Sequence, residues 1–210
     1  SPIETAITVG EQKTGVTLMK MVSALDAGPM LAKTECSIDS EENALQLREK
    51  LANLCPELMR IGLTEILSGE PHLVEQNPEQ ATYCRKIDKD DGWIDFDLTP
   101  SEILNHIRGL FPWPGAFFNY QGIRLKIGAA TPASRPSGFE AAPNGLLIQK
   151  DKSLIICCES GALFLDSIQK PGGKLLPVKE FLNGFSVDAE TQLTYPARFD
   201  FVRDSYFKKP

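Results

Sequence analysis

One carboxylate in this chain sits where chemistry is easiest to place. Asp26 lies between two apolar, β-compatible runs, one carrying Val16, Leu18 and Met21 and the other Met30, Leu31 and Ala32. Beside it, Gly28–Pro29 is a strong turn dipeptide. In α/β folds ligand sites gather beyond the carboxyl ends of strands, so a carboxylate there can hold or move a proton for a bound molecule. An Asp in such a place can equally do no more than cap its own turn. The two His offer no partner: His72 sits in the polar connection Glu70–Pro71–His72, and His106 reads as a structural or surface residue. The five Cys, at 36, 55, 84, 157 and 158, are scattered, and the adjacent last pair would point to opposite faces of a strand. No metal site or disulfide framework is expected from them, and a reducing, cytoplasmic setting is.

Length and charge bound the partners. At 210 residues, 42% of them hydrophobic, the chain can bury one large core or two small ones. No segment reaches the roughly 20 apolar residues of a bilayer span, and no signal peptide or membrane partner is expected. The net charge of −6 is unevenly placed. Residues 1–82 carry 6 Lys and Arg against 13 Asp and Glu, whereas residues 83–210 carry 16 against 15. The second half is therefore neutral enough to hold a local basic face, which permits nucleic acid without arguing for it.

The elements that must position these residues follow from periodicity. Two strands flank the Asp26 loop. Ser40 before Glu41–Glu42 predicts a helix start. Leu47, Leu51, Leu54 and Leu58 then fall on one helical face, read as core, which Ile66 and Leu67 continue until Ser68–Gly69. Pro56 is expected to divide or kink this helix. Glu70–Gln80 reads as an extended linker. Thr99–Pro100–Ser101–Glu102 is a capping box opening a second helix, with Ile103, Leu104 and Ile107 on its apolar face. Past Pro114 the period becomes two. Phe117–Phe118 and Ile123–Ile127 form a hairpin across Gln121–Gly122, short strands follow at 146–148, 154–157 and 162–165, and Pro177–Asn183 closes with a helical turn. Short strands with frequent turns predict a small barrel.

Four segments in order resemble the folate-dependent formyltransferases, and within them those that act on methionyl-tRNA. They are Thr14–Met21 with Leu25–Leu31, Ala81–Lys86, Gly109–Ala116, and Ile168–Lys174 with Glu180–Gly184. The resemblance implies an α/β fold, the tail of a Rossmann-like formyltransferase domain, followed by a small β-barrel resembling an OB fold. It divides the chain into the remainder of a catalytic domain (1–69), a linker (70–82), a tRNA-binding barrel (83–185) and a tail (186–210).

The implied reaction moves a formyl group from 10-formyltetrahydrofolate to the amino group of methionine on initiator tRNA, for translation initiation. Asp26 maps onto the family's catalytic Asp, and the backbone of Val22, Ser23, Ala24, Leu25 and Asp26 onto the loop that meets the pterin ring. Arg85, Lys86 and Lys89, at the domain join, and Arg124 and Lys126, on one strand face, are the candidates for tRNA phosphates. The family's Asn-x-His and Ser-Leu-Leu-Pro have no counterpart here. The chain is therefore expected to begin downstream of them, to be inactive alone, and to be a monomer. The alternatives are a non-catalytic RNA-binding module and a relative acting on sugar nucleotides or formyltetrahydrofolate.

Overall fold

A computed structural model describes residues 1–197 and 200–203. The first unit comprises α1 (Pro2–Thr8), β1 (Lys13–Met19), β2 (Met30–Ser37) and α2 (Ala44–Leu67). β1 and β2 are an antiparallel ribbon in which Lys13 faces Ser37 and Val16 faces Thr34, with a bulge between Leu18 and Met19. The start of α2 differs from the expectation at Ser40. Asn43 caps instead, its Oδ1 accepting from Leu45 N and Gln46 N, each at 3.0 Å. Gln46 returns the bond to Asn43 N, which closes a capping box. Pro56 neither divides the helix nor ends it: α2 runs unbroken across it. Burial of Leu47 and Leu51 before the proline and Leu58 after it offsets the lost bond. The apolar face stops short of its predicted end, because Ile66 and Leu67 are exposed. Ile7, Ile38, Ala44, Leu47 and Leu51 form the unit's core.

The second unit holds β3 (Tyr83–Cys84), α3 (Pro100–Gly109), β4 (Phe117–Tyr120), β5 (Ile123–Ala133), β6 (Leu146–Lys150), β7 (Ser153–Cys158) and β8 (Gly161–Gln169). β9 (Leu176–Pro177), α4 (Val178–Phe181), β10 (Glu190–Gln192) and β11 (Val202–Arg203) complete it. The predicted capping box at Thr99 and Glu102 opens α3. Seven strands make one antiparallel sheet in the order β10-β6-β7-β8-β5-β4, with β9 on β8. Among the described residues no ladder joins β4 to β10, so the sheet is open along that line. Bulges between Ile127 and Ala130 bend β5. The tight turns at Gln121–Gly122 and Asp151–Lys152 take positive φ at both central residues, the form that matches strand twist. Phe96, Phe118, Leu125, Leu147, Ile156 and Leu163 lie in the core beneath the sheet.

The described part of the tail packs back onto this unit. Tyr195 meets Phe96 edge-on at 5.2 Å and donates its hydroxyl to Asp97 Oδ1 at 3.0 Å. Burial first, then Asp97, push its pKa up to about 12. Phe201 is buried with Ile87 and Leu110. The Arg85 guanidinium spans the buried carboxylate of Asp91, lies 4.9 Å over the Phe201 ring, and donates to Asp200 O at 2.8 Å. Phe199, Tyr206 and Phe207 lie outside the described residues.

Leu47→Ala should lower unfolding free energy by about 2–5 kcal/mol, whereas Ile66→Ser should stay within about 0.5 kcal/mol, both read from denaturant midpoints. Arg85→Ala strands a buried carboxylate and should cost about 3–5 kcal/mol. Arg85→Lys should restore only part, since an ammonium cannot fork across both carboxylate oxygens.

Candidate active site and nucleic-acid face

Asp26 stands in the β1–β2 connection, residues 20–29, which is longer than the tight loop expected. Its φ is +51°, the left-handed region that Asp tolerates better than most residues. Residues 21–27 are all exposed, Met21 to 88%, so the backbone of Val22–Asp26 is open to a ligand. The loop is nevertheless closed at its base. Lys20 N donates to Pro29 O at 3.0 Å, and a Cβ on Gly28 would lie 1.8 Å from Lys20 O. Only glycine fits there. Gln76 completes the closure, its Nε2 donating to Asp26 O at 2.9 Å and Gly28 O at 2.7 Å. Beside the loop, Leu18, Met19, Leu31, Met59 and Leu63 line an apolar crevice of about 360 Å³ between the ribbon and α2.

Neither histidine stands at this loop. His106 is buried in α3, its ring 6.0 Å from that of Phe201. His72 lines a separate crevice with Thr34 and Glu65. Among the described residues no group of three His, Cys, Asp or Glu could hold a metal ion. Burial pushes the Cys158 thiol up to about 12, which leaves it protonated and unreactive.

The basic residues do not share one fate. Arg85 is withdrawn from the surface by Asp91, and Asp91 is itself 2% exposed at its side chain. Four of its five N–H donors are committed to Asp91 and to the backbone oxygens of Asp200 and Lys86, which leaves Arg85 less open to a phosphate than the lysines beside it. Lys86 and Lys89 are exposed. Arg124 and Lys126 share the outer face of β5, as their spacing predicts, while Leu125 and Ile127 point inward. Arg124 lies 3.9 Å over the Phe117 ring and 5.9 Å from that of Trp93, with a loose 3.8 Å ion pair to Asp90. Lys126 Nζ donates to Pro114 O at 2.7 Å. The 3-10 turn Asp90–Gly92 packs directly on this face, because a Cβ on Gly92 would lie 2.4 Å from Gly115 O. The segment bearing Lys89 is thereby set beside Arg124 and Lys126. Trp93, whose ring lies 4.9 Å from that of Phe117, adds aromatic surface to it.

The sequence reading missed Trp93, Gln76 and Arg108. Trp93 follows the Lys86–Lys89 basic segment, which is the available signal. Arg108 Nη1 donates to Asp39 O and Glu42 O, each at 3.0 Å, and so ties α3 to the entry of α2. Burial lowers its pKa, against Glu42 and Glu41. Nothing in local spacing announces that contact.

Comparison with known proteins converges on one family. Residues 1–61 match the family model described as formyl transferase, and residues 86–186 match that of the formyl transferase C-terminal domain. A methionyl-tRNA formyltransferase of Gluconobacter oxydans is 38% identical over 92% of this chain and 61% of its own length. One from Enterococcus faecalis is 36% identical over 88% of the chain and 58% of its own length. The chain thus spans about 60% of the length of these curated relatives. Among solved structures, HypX from Aquifex aeolicus in complex with tetrahydrofolic acid superposes with a TM-score of 0.61 at 19% identity, over 90% of this chain and 36% of that one. An N-formyltransferase from Helicobacter canadensis in complex with folinic acid and dTDP-3-aminofucose gives 0.61 at 20%, over 80% and 60%. These two likenesses concern the fold alone. With both halves of the chain matched in order and its curated relatives identical at more than a third of the aligned residues, the chain belongs to the formyl transferase family.

Proposed function

We propose that this chain serves formyl transfer from 10-formyltetrahydrofolate to the α-amine of methionine on initiator tRNA, a cytoplasmic step of translation initiation. The observation that carries the reading is the exposed Asp26 on a loop closed at its base, in a chain whose curated relatives are methionyl-tRNA formyltransferases. A folate donor is supported by the tetrahydrofolic acid bound to the HypX neighbour.

In the reaction the amine attacks the formyl carbon, a C–N bond forms, and a tetrahedral oxyanion collapses as the folate nitrogen leaves. Asp26 would take part in moving the amine proton, and the open backbone of Val22–Leu25 would supply hydrogen bonds to the pterin ring. Stabilising the oxyanion calls for donors aimed at it. The 210 residues bring no imidazole to Asp26, since His106 is buried and His72 lies elsewhere. Acting alone, the chain is expected to be inactive. The tRNA face would be Lys86, Lys89, Arg124 and Lys126, on a sheet unit read as an OB-like barrel, with the molecule as a monomer.

The second reading, an RNA-binding module without catalysis, draws on the same face, because Lys89, Arg124, Lys126 and Trp93 belong to the second unit whereas Asp26 belongs to the first. A sugar-nucleotide substrate has weaker support, resting on a fold likeness alone.

With formyl donor and charged initiator tRNA, the 210-residue chain should give no formylmethionyl-tRNA above the uncatalysed rate; product at an enzyme-like rate would refute its expected inactivity alone and leave the formyl-transfer reading standing. Lys89→Gln and Arg124→Gln should each weaken tRNA binding and reduce the slope of log K against log salt by about 1. Asp26→Asn should leave that slope unchanged.

A further inference from the structure

The segment between the two units carries a residue that the reaction does not call for and the loop geometry does. The carbonyl oxygens of Asp26 and Gly28 converge on one point. That point is occupied by Gln76 Nε2, at 2.9 and 2.7 Å, with Met19 Sδ at 3.8 Å. Two carbonyl oxygens turned toward each other repel unless a donor stands between them. A side-chain amide suits the place because its NH₂ carries two protons, one for each oxygen.

The donor is delivered by backbone that is itself fixed. Met30 N donates to Val74 O at 2.7 Å and Val74 N returns to Met30 O at 2.9 Å, so the segment is paired to the strand that leaves the loop. On the other side the loop is pinned by Lys20 N on Pro29 O and by the lack of room for a side chain at Gly28. Between these anchors Asp26 holds φ +51°. Such a sparsely populated conformation persists only where its surroundings over-determine it.

We propose that Gln76 is the positioning residue of the Asp26 loop. Its amide latches the backbone oxygens of Asp26 and Gly28, which aims the Asp26 carboxylate and holds the backbone of 22–26 in a ligand-ready form. The purpose of the latch rests on the folate reading above, but the latch itself does not.

Hydrogen exchange on the full 210-residue chain tests it, with Gln76→Ala and Gln76→Glu. The alanine variant should speed exchange of the Lys20 and Met30 amides, which donate at the base of the loop to Pro29 O and Val74 O, about tenfold, the order expected for losing one or two hydrogen bonds, and leave β6–β8 as in the unaltered chain. The glutamate variant keeps the shape, but its ionised carboxylate has no proton to give. It should be at least as loose as alanine at neutral pH and, against the unaltered chain at the same pH, regain part of the protection once acid gives it one proton to donate. A side chain that merely fills space would show no such recovery. Affinity for tetrahydrofolate, read by fluorescence titration, should fall in parallel at neutral pH. Unchanged loop exchange in the alanine variant, loosening spread evenly over α2 and the ribbon, or a glutamate variant like the unaltered chain at neutral pH would each overturn the proposal. If the unaltered chain does not bind tetrahydrofolate but Gln76→Ala loosens the loop, the folate reading falls and the latch stands. If it binds and Gln76→Ala changes neither readout, the latch falls alone.

Discussion

Where α1 crosses α3 there is no room for one more carbon. A Cβ on Gly109 would lie 2.2 Å from Thr8 Oγ1 and 3.0 Å from Glu4 O, so only glycine lets the helices approach this closely. Thr8 keeps its hydroxyl turned to Glu4 O at 2.7 Å, which spares the contact an unsatisfied polar group. Arg108, the neighbour of Gly109, reaches the carbonyls of Asp39 and Glu42. The rest of the arrangement depends on this crossing. It holds the α2 entry and the ribbon that carries Asp26 in a fixed relation to the unit that carries the basic face.

The second unit divides its arginines between structure and surface. Arg85 and Asp91 sit together where water is scarce, and a fork of two bonds with further carbonyl partners is what such burial requires. Arg124 takes the opposite course. Its pair with Asp90 is long and exposed, which gives little stability, while its guanidinium lies over aromatic rings and keeps its polar edge toward solvent. A guanidinium stacked this way is held in place by the rings with few bonds spent on its edge.

The Asp26 loop solves a different problem. Its side chains are exposed and have little to pack against, so burial cannot hold its shape. Backbone bonds and one amide do so instead, through Lys20, Pro29, Gln76 and the space reserved at Gly28. A loop ordered through its backbone can offer that backbone to a ligand without committing side-chain identity, which suits a site where Ser23 and Ala24 carry no chemistry of their own.

Local patterns in the sequence determined much of this. The Thr99–Glu102 box, the hairpin at Gln121–Gly122 and the alternation of Arg124 and Lys126 with Leu125 and Ile127 depend on neighbours within a few residues. Their physics is legible in order. Competition between local signals misled at two points. Asn43 outranked Ser40 as the cap because Gln46 could complete the box, and packing on both sides of Pro56 outweighed one lost bond. Only the tertiary structure decided which charges are spent. Arg85 and Lys86 are adjacent and read alike, yet Asp91 and Phe201 engage one and leave the other exposed. It alone brought Gln76 to Asp26, fifty residues away, and Arg108 to Asp39. Periodicity reports what lies along one element; it carries no record of which distant backbone oxygens will converge on a donor, and those contacts fix the site.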